Sequence, residues 1–134
     1  LQQGRGKILK YPLEIKLPVE LRSKNDFTGN GARWIRAEAK KQFILALTTV
    51  LGGLVDTPHE FQYVTFTRVL GKGKKLWDDG NMAGGDSIQL QDAGKSVGLW
   101  YDDSPKWIKA RYHQEWNERP EVGYTKIQIQ MESW

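Results

Sequence analysis

Leu13, Ile15 and Leu17 alternate with Glu14 and Lys16, the period of two expected of a strand with one buried face. A polar turn around Ser23-Lys24-Asn25-Asp26 follows, and the pattern then changes to a helical one. Ile35, Ala39, Phe43, Ala46, Leu47 and Val50 recur at helical spacing, which predicts a long helix from Ala32 to Leu51. Asn30 is its expected N-cap, and Gly52-Gly53 its expected stop. Phe61 to Leu70 is rich in aromatic and β-branched residues and predicts a central strand. Met82 to Val97 predicts a second helix, although Gly84, Gly85 and Gly94 each cost it about 1 kcal/mol relative to alanine. A short strand is expected at Leu99 to Tyr101, and two longer ones at Trp107 to Gln114 and Tyr124 to Met131. The last places Thr125, Ile127, Ile129 and Met131 on one face, and the intervening Asn117-Glu118-Arg119-Pro120 predicts that the two form an antiparallel pair.

These elements add up to an α+β fold, an α/β sandwich of two layers with a mixed sheet and two main helices. The 134 residues suffice for one domain with a real core, and no repeat, low-complexity tract or long linker divides them. Residues 1–134 are therefore expected to form a single domain. An apolar fraction of 39% with 27% charged residues suits a folded globular protein. Cysteine is absent, which excludes disulfides and thiolate metal sites. His59 and His113 are isolated in sequence and read as structural or surface histidines. No apolar run approaches the roughly 20 residues of a membrane span, and the N-terminus lacks a signal-peptide pattern. A cytoplasmic protein without a membrane partner is the expectation.

Lysine and arginine total 20 against 16 acidic residues, a net charge of +4 with a sequence pI of about 9.3. The distribution of charge says more than the excess. Lys72, Lys74 and Lys75 crowd one short stretch, and Arg33, Arg36, Lys40 and Lys41 crowd the first half of the long helix. Directly after the lysines comes Leu76-Trp77-Asp78-Asp79-Gly80-Asn81, and a second acidic doublet lies in Trp100-Tyr101-Asp102-Asp103-Ser104-Pro105-Lys106-Trp107. Two carboxylates brought within about 4 Å repel by about 4 kcal/mol at an effective dielectric near 20. A divalent cation removes that cost, and hard oxygen ligands suit Mg²⁺ or Mn²⁺. Cations beside such a site are what a phosphodiester substrate requires. Two ordinary polar turns and a solvated basic loop are the competing reading. Trp77 and Trp100 are candidates for a wedge against bases, with a place in the core as the more frequent fate of such rings.

Taken together, these residues resemble the RusA-type Holliday junction resolvases, particularly those encoded by phages and prophages. The resemblance covers most of the chain. It begins with Leu17-Pro18-Val19, Ser23 and Asn25, and continues through Arg33, Trp34 and Arg36 to Val64-Thr65-Phe66-Thr67-Arg68. It continues with the acidic turn ending at Asn81, then Asp92-Ala93, Gly98, Asp102-Asp103 and Ser104-Pro105-Lys106-Trp107, and closes with the final strand. It implies a RusA-like fold and a small homodimeric endonuclease, acting in the bacterial cytoplasm, that binds four-way DNA junctions and uses Mg²⁺ to cut two strands symmetrically. Carried over residue by residue, Asp78 matches the first acid of the family's Asp-x-Asp-Asn turn, and Asp103, with Asp102 beside it, matches the later acid. Gly80 stands where the family has its second acid, which leaves Asp79 as the candidate replacement. A lysine that follows the asparagine in the family is missing between Met82 and Leu90, with Lys95, Lys106 or the basic loop as candidate substitutes.

The resemblance and the charge pattern thus give Asp78, Asp79 and Asp103 as catalytic candidates and Asp78, Asp79, Asp102 and Asp103 as candidate Mg²⁺ ligands. Arg33, Arg36, Arg68, Lys72, Lys74, Lys75, Asn81 and Lys106 are the candidate DNA contacts. Two other readings stay open. One is a branched-DNA-binding protein of this fold that no longer cuts; the other is a tryptophan-rich interaction or ligand-binding domain without nucleic acid.

Overall fold

The computed structural model describes residues 6–22, 31–76, 84–117 and 122–134. Its elements in chain order are β1 (Leu13–Leu17), α1 (Ala32–Leu51), β2 (Gln62–Leu70), α2 (Asp86–Val97), β3 (Ile108–Trp116) and β4 (Tyr124–Gln130). The strands form one mixed sheet in the order β1-β4-β2-β3. This is the expected two-layer α+β fold.

The sheet's order departs from the expected β3–β4 hairpin. β4 pairs antiparallel with β1 and β2, whereas β3 pairs with β2 in parallel, Gln62 opposite Ile108 and Leu70 opposite Trp116. β2 therefore lies between the two strands that follow it. Turn residues signal a reversal of direction, not which neighbour the returning strand selects. Parallel pairing of β2 and β3 requires a crossover, and α2 supplies it.

Register and burial define two unlike faces. Ile15, Leu17, Val64, Phe66, Ile108, Ile127 and Ile129 point to one side and form the core with Ala39, Phe43 and Leu47 of α1 and Leu90, Ala93 and Val97 of α2. The opposite face presents Glu14, Lys16, Tyr63, Lys109, Arg111, His113, Lys126 and Gln128. Threonines 65 and 67 also face that side, packed among their neighbours.

α1 has the expected bounds, but Gly31, at φ 85°, occupies the N-cap position that the sequence suggested for Asn30. A left-handed φ favours glycine there, and no side chain caps the helix start. Gly52 closes the helix as expected, donating its N–H to the Thr48 carbonyl. The buried positions of α1 follow steps of four, from Ala39 through Phe43 and Leu47 to Leu51, so Val50 falls off the core face and is 47% exposed.

α2 starts at Asp86, and the stretch predicted from Met82 begins outside the described residues. Leu99 to Tyr101 is not a strand. Leu99 and Trp100 are buried, yet neither joins the backbone ladder of the sheet: Leu99 N–H donates to the Gly94 carbonyl, the Leu99 carbonyl accepts from the side-chain Nε2 of Gln62, and Trp100 Nε1 donates to the Gln91 carbonyl. This packing explains Gly94, which the sequence marked only as a weakness. A Cβ at that position would overlap the Trp100 ring. Gly94→Ala is therefore expected to lower stability by about 1 to 3 kcal/mol through overpacking, despite the gain of about 1 kcal/mol in helix propensity. A urea midpoint above wild type would show that the ring has room to move.

Candidate functional site

At the C-terminal end of β2 the chain is tied down by buried charge. Arg68 is 1% exposed on the core side of β2, where its guanidinium pairs with Glu20 at 3.3 Å and donates to the Lys75 carbonyl at 2.8 Å and to Gln114 Oε1 at 3.0 Å. Burial pulls its pKa down while Glu20 pulls it up. Arg68 is among the DNA contacts expected from the sequence, and its burial overturns that role. Arg68 instead holds the backbone from which Lys72, Lys74 and Lys75 extend, all three exposed.

A second tie lies close by. Arg22 meets Asp86, at the start of α2, through Nε at 2.9 Å and Nη2 at 3.3 Å, while its backbone N–H donates to the same carboxylate at 2.8 Å. Asp86 is 1% exposed and returns its own N–H to the Arg22 carbonyl. Glu20, Arg22 and Asp86 line a groove of about 550 Å³ with Trp34, Glu38 and Gln42. This polar layer is not legible in the sequence, because its partners are far apart along the chain and carry no motif. Lys75 and Asp86 flank residues 77–83, and both are fixed at this end of the molecule. Asp78, Asp79 and Asn81 themselves lie outside the described residues.

The second doublet lies at the other end of β2 from the basic loop. It follows α2 and precedes β3, at whose start the N–H groups of Ile108 and of the preceding Trp107 donate to the Ser104 carbonyl. Ile108 pairs with Gln62, the first residue of β2. Asp102 and Asp103 thus stand at the end of the sheet where β2 begins, and the basic loop at the end where β2 leaves. Nine residues of strand separate Gln62 from Leu70 inclusive, a rise of about 26 Å.

The two acids of the doublet differ in role. Asp102 pairs with Lys95 at 3.1 Å and also accepts from the Asp103 N–H and the Ser104 hydroxyl. The bond from Lys95 holds the Asp102 carboxyl below its ordinary pKa, and in turn Asp102 raises Lys95. Asp103 is exposed. Lys95, one of the candidates for the missing lysine, is therefore already the partner of Asp102. Lys106 is exposed, with its ammonium 5.8 Å from the Trp107 ring centre. Asp92 is matched by Lys40 at 3.0 Å and ties α2 to α1. Arg33 and Arg36 are exposed on the first turns of α1, and Trp100 is a core residue at 0% exposure.

The Lys95–Asp102 pair sets a pH window. A depressed carboxyl pKa contributes stability above its unfolded value and loses it as pH falls through the folded one. A raised lysine pKa contributes below its unfolded value and loses it as pH rises through the folded one. The pair is thus intact at neutral pH and lost at either extreme. Lys95→Met is expected to return the Asp102 carboxyl upward toward its ordinary value. Carboxyl-carbon NMR titration checks this, and an unmoved Asp102 would assign its depression to the turn's N–H and hydroxyl donors.

Among the described residues no three of His, Cys, Asp and Glu are grouped to hold a metal ion. The adjacent carboxylates of Asp102 and Asp103 are nevertheless hard donors of the kind Mg²⁺ takes, and that ion commonly uses one or two carboxylates together with waters and substrate phosphate. Among the described residues no helix is long and apolar enough to cross a membrane. Comparisons with protein-family models and with curated proteins gave no match for this chain.

Proposed function

We propose that this protein is a Mg²⁺-dependent, structure-specific DNA endonuclease that binds four-way junctions as a homodimer and hydrolyses phosphodiesters in them, within the bacterial cytoplasm. The observation that carries the reading is the basic loop. Lys72, Lys74 and Lys75 project from a backbone that the buried Arg68 fixes, directly before the Asp78-Asp79 doublet in sequence. The order of motifs along the chain, which resembles RusA-type resolvases, and the two-layer fold support it. In this reading the cation ligands come from Asp103 with Asp102, or from Asp78 and Asp79, since the length of β2 lies between Asp103 and the basic loop. When bound, the cation supplies Lewis acidity and neutralises charge on the scissile phosphate. The lysines grip the DNA backbone, aided by Arg33, Arg36, Lys106 and Asn81.

The test is cleavage of a labelled four-way junction in Mg²⁺ or Mn²⁺, beside a linear duplex of equal length. Symmetric cuts in the junction alone support the reading, and an intact junction in both metals sinks it. Binding is tested separately. Replacing Lys72, Lys74 and Lys75 by alanine is expected to flatten the salt dependence of junction affinity by about 0.9 for each lost phosphate contact. An unchanged slope would move the DNA path to Arg33, Arg36 and Lys40.

One observation favours the second reading, a junction-binding protein that does not cut. The length of β2 lies between Asp103 and the basic loop, and Lys95 already occupies Asp102. In that case the wild type binds junctions with the same salt slope and leaves them whole.

A further inference from the structure

The face of the sheet opposite α1 and α2 carries a cluster outside the proposed junction site. At the corner where β2 and β3 begin, Tyr63 packs edge-on against Trp134 at 5.4 Å between ring centres and against Phe61 at 5.2 Å. The Arg111 guanidinium lies over the Trp134 ring at 4.2 Å and is fixed by a 2.9 Å bond from Nε to Thr65 Oγ1. Lys109 stands 6.0 Å from the same ring. Elsewhere on this face the acids have partners: Glu115 pairs with Lys126 at 2.9 Å, and Glu14 lies 4.0 Å from Lys16. Among the described residues neither Lys109 nor Arg111 lies within ion-pair distance of a carboxylate. The corner thus joins exposed cations to partly exposed aromatic rings on a rigid sheet.

We infer that this corner binds single-stranded nucleic acid, its bases stacking on Trp134 and Tyr63 and its phosphates meeting Lys109 and Arg111. Flat rings recognise bases that are not already stacked, which excludes the interior of a duplex. The positive charge matches a phosphate backbone. A second copy meeting this face about a two-fold axis brings Lys109 and Arg111 toward their own counterparts, and the face offers almost no aliphatic surface to offset that. The site is separate from the basic loop, and the inference stands whether or not the chain cuts junctions.

The test is fluorescence anisotropy of a short labelled oligothymidylate and of a duplex of equal length, titrated with the full chain at rising NaCl. Trp134→Ala is expected to weaken oligothymidylate binding about tenfold, while Trp134→Phe keeps most of it. Lys109→Gln with Arg111→Gln is expected to lower the salt slope by about 0.7 for each lost contact. Both substitutions in that pair are at exposed positions, so it carries the test if Trp134→Ala does not fold. Duplex affinity stays unchanged in all three. Alanines at 72, 74 and 75 weaken junction binding and leave oligothymidylate binding intact, which keeps this site distinct from the proposed junction site. Absence of oligothymidylate binding by the wild type overturns the inference, as does unchanged binding by the variants. Loss of a dimer in sedimentation with oligothymidylate binding intact also overturns it, and assigns the face to self-association.

Discussion

Asp103→Asn is expected to abolish junction cleavage while leaving junction affinity within error of wild type. The substitution keeps the bulk of an exposed side chain and removes one carboxylate charge, so folding and DNA contacts are spared. Losing one electrostatic stabiliser of a transition state commonly costs about a hundredfold or more in rate. Asp78→Asn and Asp79→Asn are expected to behave alike if Asp79 has taken over the role left open by Gly80. Gly80→Asp then gives little gain or some loss, since two acids compete for one place. Asp102→Asn separates the members of the second doublet. Because Asp102 is held by Lys95, the Asp103 N–H and the Ser104 hydroxyl, its loss disturbs the turn and is expected to slow cleavage less. A junction-cleavage gel on these proteins decides among the outcomes. Cutting that survives Asp103→Asn removes the second doublet from the chemistry. An inactive wild type revived by Gly80→Asp establishes the chain as a decayed nuclease.

The second large effect is expected at Arg68. Removing one member of a buried ion pair costs about 3 to 5 kcal/mol, because the other charge is left desolvated. Arg68→Met keeps the length of the side chain and removes its charge, its bond to the Lys75 carbonyl and its bond to Gln114. The side chain of Glu20 is 17% exposed and recovers some water, which places the loss near the lower end, about 3 kcal/mol. Glu20→Gln is expected to cost less, since Arg68 retains the Lys75 carbonyl and Gln114 Oε1 as acceptors. Adding Glu20→Leu to Arg68→Met should restore part of the stability, as removal of both charges relieves the desolvation. Urea unfolding of the three variants measures this. A loss under about 1 kcal/mol for Arg68→Met, the range of an exposed pair, would reduce the tie to a surface-like interaction. Since the tie holds the loop, the same variant should also weaken junction binding under conditions where it is still folded.

Most of the elements and their buried faces are legible in the sequence. Alternation marked Ile15 and Leu17 as core, helical spacing marked Ala39, Phe43 and Leu47, and Gly52 ended α1 as its φ of 78° allows. Such signals are local: each reports how one segment meets an apolar side, and burial enforces them residue by residue. The same locality explains the errors. Leu99 to Tyr101 reads as a strand because burial and aromatic content look alike in a strand and in a packed turn. Arg68 reads as a phosphate contact because a charge in sequence carries no sign of the Glu20 and the Lys75 carbonyl that bury it. No local signal foretells that β2 separates β3 from β4, that Asp86 pairs with Arg22, or that Trp134 meets Arg111. Strand order and long-range ion pairs depend on which surfaces meet after the elements have formed. The sequence gives each element's apolar face; the meeting of those faces placed the basic loop at one end of β2 and Asp103 at the other.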